Sequence, residues 1–211
     1  MSLLMEISQN LQDGDADAVR ELTERAVSEG MGAQKILNEG LLHGMGIVGE
    51  KFKANEFYVP DVLMSARAMS FGTEVIKPLL LEEGAKQVGK VVIGTVKGDL
   101  HDIGKNLVRL MMEGKGLDVI DLGTDVSPEA FVSRAIEEGA DIVACSALLT
   151  TTMMQMAEVV KELDAKGVRD QITLMIGGAP ITQEYCDKIG ADLYTPDAAT
   201  AADEAHRVCV A

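Results

Sequence analysis

The second part of the chain alternates short β-branched runs with helical patterns, and this alternation restricts the possible folds more than any other feature. The strand-like runs are Val91–Val96, Leu117–Leu122, Asp141–Cys145, Ile172–Ile176 and, more weakly, Asp192–Tyr194. The helical patterns that follow them are Ile103–Glu113, Pro128–Glu138, Thr152–Lys166, Ile181–Ile189 and Ala198–Cys209. Strands and helices at this spacing form right-handed βαβ units, which build a parallel sheet covered on both faces. The pattern therefore predicts an α/β, doubly wound domain with five parallel strands.

The first 88 residues have a different period. Apolar residues recur there at three- and four-residue spacing in four stretches, from Leu3–Leu11 to Val62–Met69, which is typical of amphipathic helices. Four helices with short joins predict a small antiparallel bundle. The polar stretch Glu82–Gly89 contains two glycines and is the predicted linker. We therefore expect a four-helix bundle cap over residues 1–88, followed by a flavodoxin-like (Rossmann-like) domain over residues 89–211.

The charge of the chain argues against several classes of partner. Its 211 residues carry a formal net charge of −15, whereas nucleic acids and anionic membrane surfaces attract clustered Lys and Arg. The three cysteines, Cys145, Cys186 and Cys209, are odd in number and lack C-x-x-C spacing, so they predict neither a disulfide framework nor a zinc site. Neither a secretory signal nor an apolar stretch of transmembrane length is recognisable, and we expect a cytoplasmic protein without a membrane partner.

The segment Gly98–Asn106 is the most informative stretch for function. It follows the strand-like run Val91–Val96, so Asp99 and His101 are expected at the carboxyl edge of the sheet, where ligands bind in open α/β folds. A carboxylate two residues before a histidine can accept a hydrogen bond from one ring nitrogen. The other nitrogen then stays unprotonated and aimed, as a metal requires of an imidazole. A loop histidine paired with a nearby acid, without a metal, is the alternative interpretation.

Two more loops at this edge are rich in small and hydroxylated residues. They are Ser146–Thr152 after the third strand and Gly177–Pro180 after the fourth. Each has a simple structural explanation: the threonines would cap the next helix, and the paired glycines would form a tight turn. Because the carboxyl ends of parallel strands share one edge, all three loops are expected to meet there. The structural explanations do not account for the histidine.

These motifs carry a resemblance to a known family. From about Lys90 onward, the chain resembles the cobalamin-binding domain of methionine synthase and of corrinoid methyltransferase proteins. The matching motifs are Asp99–Gly104, Ser146-Ala147-Leu148, Gly177-Gly178 and Tyr194–Ala198. In the first part of the chain, Gly49–Phe52 and Glu56–Met69 are similar to the helical cap of the same family. The resemblance thus covers nearly the whole chain.

The resemblance implies roles for individual residues. In this family the cofactor's own base leaves cobalt and a histidine replaces it, the arrangement called base-off, His-on. The cobalt ligand would be His101, oriented by Asp99, and Thr152 would complete a His-Asp-hydroxyl relay in which the family has serine. Ser146 would hydrogen-bond the displaced base, and Gly177 with Gly178 would leave room for it. The further cofactor contacts implied are Gly98, Asp102, Ile103, Gly104, Leu148, Thr150 and Tyr194.

The same resemblance gives the cap a steric role over the upper face of the cobalt. Apolar side chains of the cap would shield that face from water and oxidants. Met64 and Met69 are candidates for this role, and packing in the bundle core is the alternative for each.

The resemblance implies a cobalamin or related corrinoid as cofactor and a methyl carrier as function. Such a chain would take a methyl group from a donor-specific methyltransferase and pass it to a second methyltransferase acting on tetrahydrofolate or a thiol. A reductive activase would be a third partner. We expect a subunit that turns over nothing alone. The alternatives are a cobalamin-dependent sensor, which usually carries an added signalling or DNA-binding module, a small mutase subunit, which lacks this cap, and a flavodoxin-like or receiver domain.

Overall fold

The computed structural model describes residues 2–82 and 88–210. Residues 83–87, which form most of the predicted linker, lie outside the described residues. The chain divides into two compact units, Met1–Lys86 and Gln87–Ala211. We call them unit 1 and unit 2. None of the helices in the described ranges is both long and apolar enough to cross a membrane.

Unit 1 is helical. Its helices are α1 (Leu3–Gln12), α2 (Ala16–Ser28), α3 (Ala33–Lys35), a π-helical segment (Ile36–Leu42) that continues into α4 (His43–Lys53), and α5 (Val59–Glu82). The first two begin at side-chain caps, where Ser2 Oγ accepts from the N–H of Met5 and Asp15 Oδ1 accepts from the N–H of Ala18. The bundle core is apolar, with its largest fully buried side chains at Ile7, Leu11, Ile36, Leu41 and Ile76.

The two candidate methionines of the cap differ in their surroundings. Met69 is buried within unit 1, so packing in the bundle core accounts for it. Met64 is half exposed, as is its neighbour Leu63 on α5. Within unit 1, only Met64 of the pair therefore presents an apolar side chain to the outside.

Unit 2 contains a five-stranded parallel sheet with the strand order β2-β1-β3-β4-β5. The strands are β1 (Lys90–Thr95), β2 (Asp118–Asp121), β3 (Ile142–Ser146), β4 (Thr173–Gly177) and β5 (Leu193–Tyr194). The helices are α6 (Ile103–Glu113), α7 (Pro128–Glu138), α8 (Gln155–Ala165), α9 (Gln183–Ile189) and α10 (Ala198–Val210). This is the flavodoxin-like order, in which ligands bind at the switch point between β1 and β3.

Burial explains why the central strands read as nearly continuous apolar runs. Val91 and Val92 on β1, and Ile142 and Val143 on β3, are fully buried because helices cover both faces of the sheet. Phe131 of α7 is the largest fully buried side chain of the core. Cys145 is buried in this core, and burial raises the pKa of its thiol, as expected of a small apolar residue rather than a reactive one.

The ends of the strands differ from the sequence-based predictions by at most one residue, and α6 and α7 coincide with them. The prediction for α8 was wrong at its start, which lies at Gln155 instead of Thr152. The Thr152 hydroxyl shares its proton between Asp99 Oδ2 and the carbonyl oxygen of Leu149, and its position there is outside the first turn of α8, which has no side-chain cap. Helix α9 begins at Gln183, two residues later than predicted, because Thr182 caps it.

Candidate functional site

His101 and Asp99 lie together in the loop between β1 and α6, at the carboxyl edge of the sheet. His101 Nδ1 is 2.7 Å from Asp99 Oδ1, and the same oxygen accepts from the backbone N–H of His101 at 3.1 Å. Because a carboxylate can only accept, Nδ1 carries the proton of the neutral ring. The Asp99 side chain is fully buried, whereas 52% of the His101 side chain is exposed. In the neutral ring, Nε2 is therefore the nitrogen without a proton, and it does not contact this carboxylate oxygen.

The second oxygen of Asp99 binds the loop after β3. Asp99 Oδ2 accepts from Thr152 Oγ1 at 2.8 Å, from the N–H of Leu148 at 2.8 Å and from the N–H of Leu149 at 3.3 Å. Burial by itself would raise the pKa of the Asp99 carboxyl. Hydrogen bonds from the His101 ring, from backbone N–H groups and from the Thr152 hydroxyl outweigh burial and hold this pKa well below its ordinary value. The structure thus brings His101, Asp99 and Thr152 into one hydrogen-bonded chain around a permanent negative charge.

Thr95 is a site residue that sequence reasoning missed. It is the last residue of β1 and is fully buried, and its hydroxyl donates to the carbonyl oxygen of His101 at 2.8 Å. This bond fixes the backbone of the histidine as Asp99 fixes its ring. A threonine at the end of an apolar strand was the available signal, but strands favour threonine for its shape alone, so the signal is not specific.

Lys105 is a second residue that the sequence did not single out. It follows Gly104 on α6 and is only 2% exposed, and its Nζ lies 2.6 Å from each carboxylate oxygen of Asp121 at the end of β2. Burial would raise the pKa of Asp121, but the bonds from Lys105 and from the N–H of Gly123, together with the nearby positive charges, lower it. The pair ties the first turn of α6, which follows the histidine loop, to the neighbouring strand.

Three of the predicted cofactor contacts, Ser146, Gly177 and Tyr194, lie at the ends of β3, β4 and β5. Ser146 and Gly177 are register partners in the sheet, and Tyr194 pairs with Ile176 one residue earlier on β4. All three are half-buried. The structure therefore brings these predicted contacts to the same sheet edge as His101.

Gly178 needs its glycine for a reason within the protein. Its φ is +130°, and a Cβ placed there would lie 1.8 Å from the carbonyl oxygen of Ala147. The loop after β4 thus passes against the loop after β3 at a distance that only glycine permits. At Gly177, by contrast, a Cβ would reach only to 3.4 Å from the carbonyl oxygen of Thr195. Packing within the protein thus already requires glycine at Gly178, and its role in leaving room for a base stays a prediction.

The remaining predicted contacts lie around the histidine. Gly98 has a left-handed φ of +82° in the turn before Asp99, and Asp102 precedes α6, where its side chain accepts from Asn106 Nδ2 at 3.2 Å. Thr150 is exposed in the loop after β3. A Cβ at Gly104 would meet nothing within 4 Å, so the protein's own packing does not demand glycine at this position.

Exposed apolar side chains lie on the loop that carries His101 and on the loop after β3. Leu100 is 73% exposed and Ile103 is 76% exposed, on either side of His101 in the chain. Leu148, Leu149 and Met154 extend this exposed set on the loop whose N–H groups bind Asp99. We call these five residues the apolar rim. Clustered exposed apolar residues at a ligand-binding edge indicate a surface that another molecule covers.

Comparison with known proteins identifies the family. Residues 89–205 match the model of a B12 binding domain, and residues 3–77 match a second B12 binding domain model. A corrinoid protein of Desulfitobacterium hafniense is 43% identical over 211 residues, covering 99% of this chain and 98% of its own length. The chain belongs to the corrinoid-protein family.

Two further relatives of this corrinoid protein come from methanogens. The trimethylamine corrinoid protein 1 of Methanosarcina acetivorans is 43% identical over 186 residues, covering 87% of this chain and 86% of its own. A chain in the crystal structure of the methanol:cobalamin methyltransferase complex from Methanosarcina barkeri superposes with a TM-score of 0.88 at 32% identity. That superposition covers 98% of this chain and 79% of the solved one. The resemblance to corrinoid proteins and the predicted fold class are thereby confirmed, with a corrinoid as the cofactor of the family.

The residues of the site fit a corrinoid. In the described ranges, 2–82 and 88–210, no group of three or more His, Cys, Asp or Glu side chains could hold a metal ion. One imidazole is nevertheless sufficient, because the cobalt of a corrinoid is already bound by the four nitrogens of its macrocycle. The apolar rim suits the broad, largely apolar face of such a macrocycle, and the open space at Gly104 lets it approach the start of α6.

Proposed function

We propose that this corrinoid protein carries a methyl group between two methyltransferases. A donor-specific methyltransferase would load it, and a second enzyme acting on tetrahydrofolate or a thiol would unload it. The observation that carries the proposal is the His101 ring, which Asp99 holds by Nδ1 while about half of the side chain stays exposed. An imidazole held in this way would be able to bind cobalt through Nε2.

A bound corrinoid would supply the chemistry of methyl transfer at its cobalt. The chain's own residues would hold the cofactor. His101 would bind through Nε2, and Asp99 would keep the proton on Nδ1 so that the ring stays in the binding tautomer. Thr152 and the N–H groups of Leu148 and Leu149 keep Asp99 charged and in place.

Two relatives support a methyltransferase partner. One is named a trimethylamine corrinoid protein, and another is a chain of a methanol:cobalamin methyltransferase complex. In that second case a corrinoid protein and a methyltransferase form one assembly. A chain of the same family and fold would dock in the same way with a methyltransferase specific for its own donor.

The proposal is tested by a transfer assay with purified components. The chain is reconstituted with corrinoid, and demethylation of a panel of methylamines, methanol and O-methyl aromatics is measured with and without the methyltransferases encoded beside its gene. Transfer should require one of those enzymes, and His101→Ala should reduce the transfer rate at least about tenfold, the effect of losing an interaction of about 1.4 kcal/mol at the rate-limiting state. His43→Ala is the matched control, because His43 lies in unit 1 with its Nδ1 3.1 Å from Ser8 Oγ.

Two outcomes would contradict the carrier function. One is demethylation of a donor by the loaded chain alone, which would make it a complete enzyme. The other is full transfer activity in the His101→Ala variant, which would remove this residue from the cofactor site.

A further inference from the structure

Asp125 has a backbone conformation that needs an explanation. It lies in the loop between β2 and α7, and its φ of +56° is in the left-handed region, which is unfavourable for a residue with a Cβ. Aspartate is among the residues that tolerate this region best. A strained position of this kind persists where the surrounding contacts hold it in place.

Those contacts go to the loop that carries His101. Asp125 Oδ1 accepts from the backbone N–H of Gly98 at 2.7 Å, and the N–H of Asp125 donates to the carbonyl oxygen of Asp99 at 3.0 Å. Asp125 thus holds the N–H of Gly98 with its carboxylate and the carbonyl of Asp99 with its own N–H. The left-handed conformation is what turns its N–H and its carboxylate toward the same neighbour.

The residue after Asp125 is itself anchored. Val126 is buried, its N–H donates to the carbonyl oxygen of Thr95 at 3.0 Å, and it forms an isolated parallel bridge with Val96. Asp125 is therefore attached to the end of the sheet through Val126 and does not lie on a free loop. Its position is set by the same strand end that precedes the histidine loop.

We infer that Asp125 is a positioning residue for the His101–Asp99 pair. Asp99 is held from two directions: Asp125 fixes its backbone, and the loop after β3 fixes its carboxylate. The direction of the His101 ring follows from the position of that carboxylate, because Nδ1 binds it at 2.7 Å. This inference rests on the proposed function, in which the ring serves as an axial ligand.

Three substitutions separate the hydrogen bond from the backbone strain. Asp125→Asn keeps an acceptor oxygen and a residue that tolerates the left-handed region. Asp125→Ala removes the acceptor and leaves the strain, and Asp125→Gly removes both. Asp170→Ala is the matched control, because Asp170 is an exposed aspartate of unit 2 outside the predicted cofactor site.

The first readout uses the full-length chain without cofactor. In NMR spectra of the 15N-labelled protein, the Gly98 N–H should exchange with solvent at least about tenfold faster in the Ala and Gly variants, which corresponds to the loss of one hydrogen bond. The His101 ring should change from the Nδ1–H tautomer to a mixture of tautomers. The Asn variant and the Asp170→Ala control should behave like the wild type.

The second readout uses the chain loaded with corrinoid in the Co(II) state. The nitrogen superhyperfine splitting from a protein imidazole in the EPR spectrum should be reduced in Asp125→Ala and Asp125→Gly and retained in Asp125→Asn. His101→Ala supplies the reference spectrum without imidazole.

The outcomes distinguish this inference from the proposed function. If wild-type protein shows the cofactor's own base on cobalt, the ligand assignment is wrong, and the NMR arm still decides whether Asp125 orients the ring. If the Ala and Gly variants keep the wild-type tautomer and Gly98 exchange rate, Asp125 is not a positioning residue. If only Asp125→Ala changes, backbone strain and not the hydrogen bond is responsible, and the inference is overturned.

Discussion

Asp99 keeps its charge in a fully buried position because the protein surrounds its carboxylate with donors. A carboxyl whose pKa is lower in the folded than in the unfolded chain stabilises the fold at pH values above the unfolded value, about 4. That stabilisation is lost progressively as the pH falls below this value. The downward shift of the Asp99 pKa is of this kind, since five hydrogen bonds converge on its two oxygens.

We predict that Asp99→Asn lowers the free energy of unfolding by about 1–3 kcal/mol at pH 7, because an amide must turn its NH₂ group toward donors that the carboxylate accepts from. The difference from wild type should shrink between pH 4 and pH 2. Chemical denaturation of both proteins across this range measures it. Asp102→Asn, on the same loop, should stay within about 0.5 kcal/mol of wild type. A difference that is the same at pH 7 and pH 3 would show that the charge of Asp99 does not stabilise the fold.

At this scale the sequence indicates the side chains of the site but not all of their partners. The Asp-x-His spacing predicts the contact between Asp99 and His101, because two residues of loop suffice to close it. The sequence does not indicate the other partners. These are the hydroxyl of Thr95 and the backbone N–H groups of Leu148 and Leu149. Every threonine has such a hydroxyl and nearly every residue has such an N–H group, so the sequence does not distinguish them. Only the fold decides which of those atoms reach the site.

At the scale of elements, the loops after β3 and β4 pack against each other through Gly178. Alanine at this position would place a Cβ 1.8 Å from the carbonyl oxygen of Ala147 at a φ of +130°. One of the two loops would then have to move, and both carry residues of the predicted cofactor site.

We predict that Gly178→Ala lowers the free energy of unfolding by more than about 3 kcal/mol, since it combines backbone strain with a clash against the main chain. Gly190→Ala is the matched control. Gly190 has a left-handed φ of +75° after α9, and a Cβ there would meet nothing within 4 Å, so its cost is confined to about 1–2 kcal/mol of backbone strain. Urea denaturation of the two variants compares them. An equal decrease in the free energy of unfolding for both variants would mean that the two loops can move apart without destabilising the protein.

The alternation of strands and helices predicts the elements of unit 2 well because it reflects a local property, the burial of β-branched residues between covering helices. The start of α8 could not be predicted in this way. Thr152 lies in a helical pattern, yet its hydroxyl binds Asp99, which lies 53 positions earlier in the chain. The π-helical segment Ile36–Leu42 in unit 1 likewise has no signal in the spacing of its apolar residues.

At the scale of the whole molecule, the residues predicted for the cofactor site all belong to unit 2. They extend from Gly98 to Tyr194, and this unit has its own sheet and its own buried core. A domain with these features satisfies the usual conditions for folding alone. We propose that the domain boundary falls near residue 88.

We predict that a fragment of residues 88–211 unfolds in one cooperative transition and binds corrinoid with His101 on cobalt. Circular dichroism during denaturation measures the first, and titration with corrinoid followed by Co(II) EPR measures the second. The same fragment with His101→Ala should fold and lose the imidazole signal. A fragment that folds but does not bind corrinoid would mean that residues before 88 supply part of the site.

The apolar rim is a surface that favours self-association, because exposed leucine, isoleucine and methionine side chains can pack against the same patch on another copy. The formal net charge of −15 opposes this contact, since like-charged copies repel one another. Salt screens the repulsion beyond about 8 Å at physiological ionic strength. The acidic composition therefore opposes self-association through the apolar rim, and this protection should weaken as the ionic strength rises.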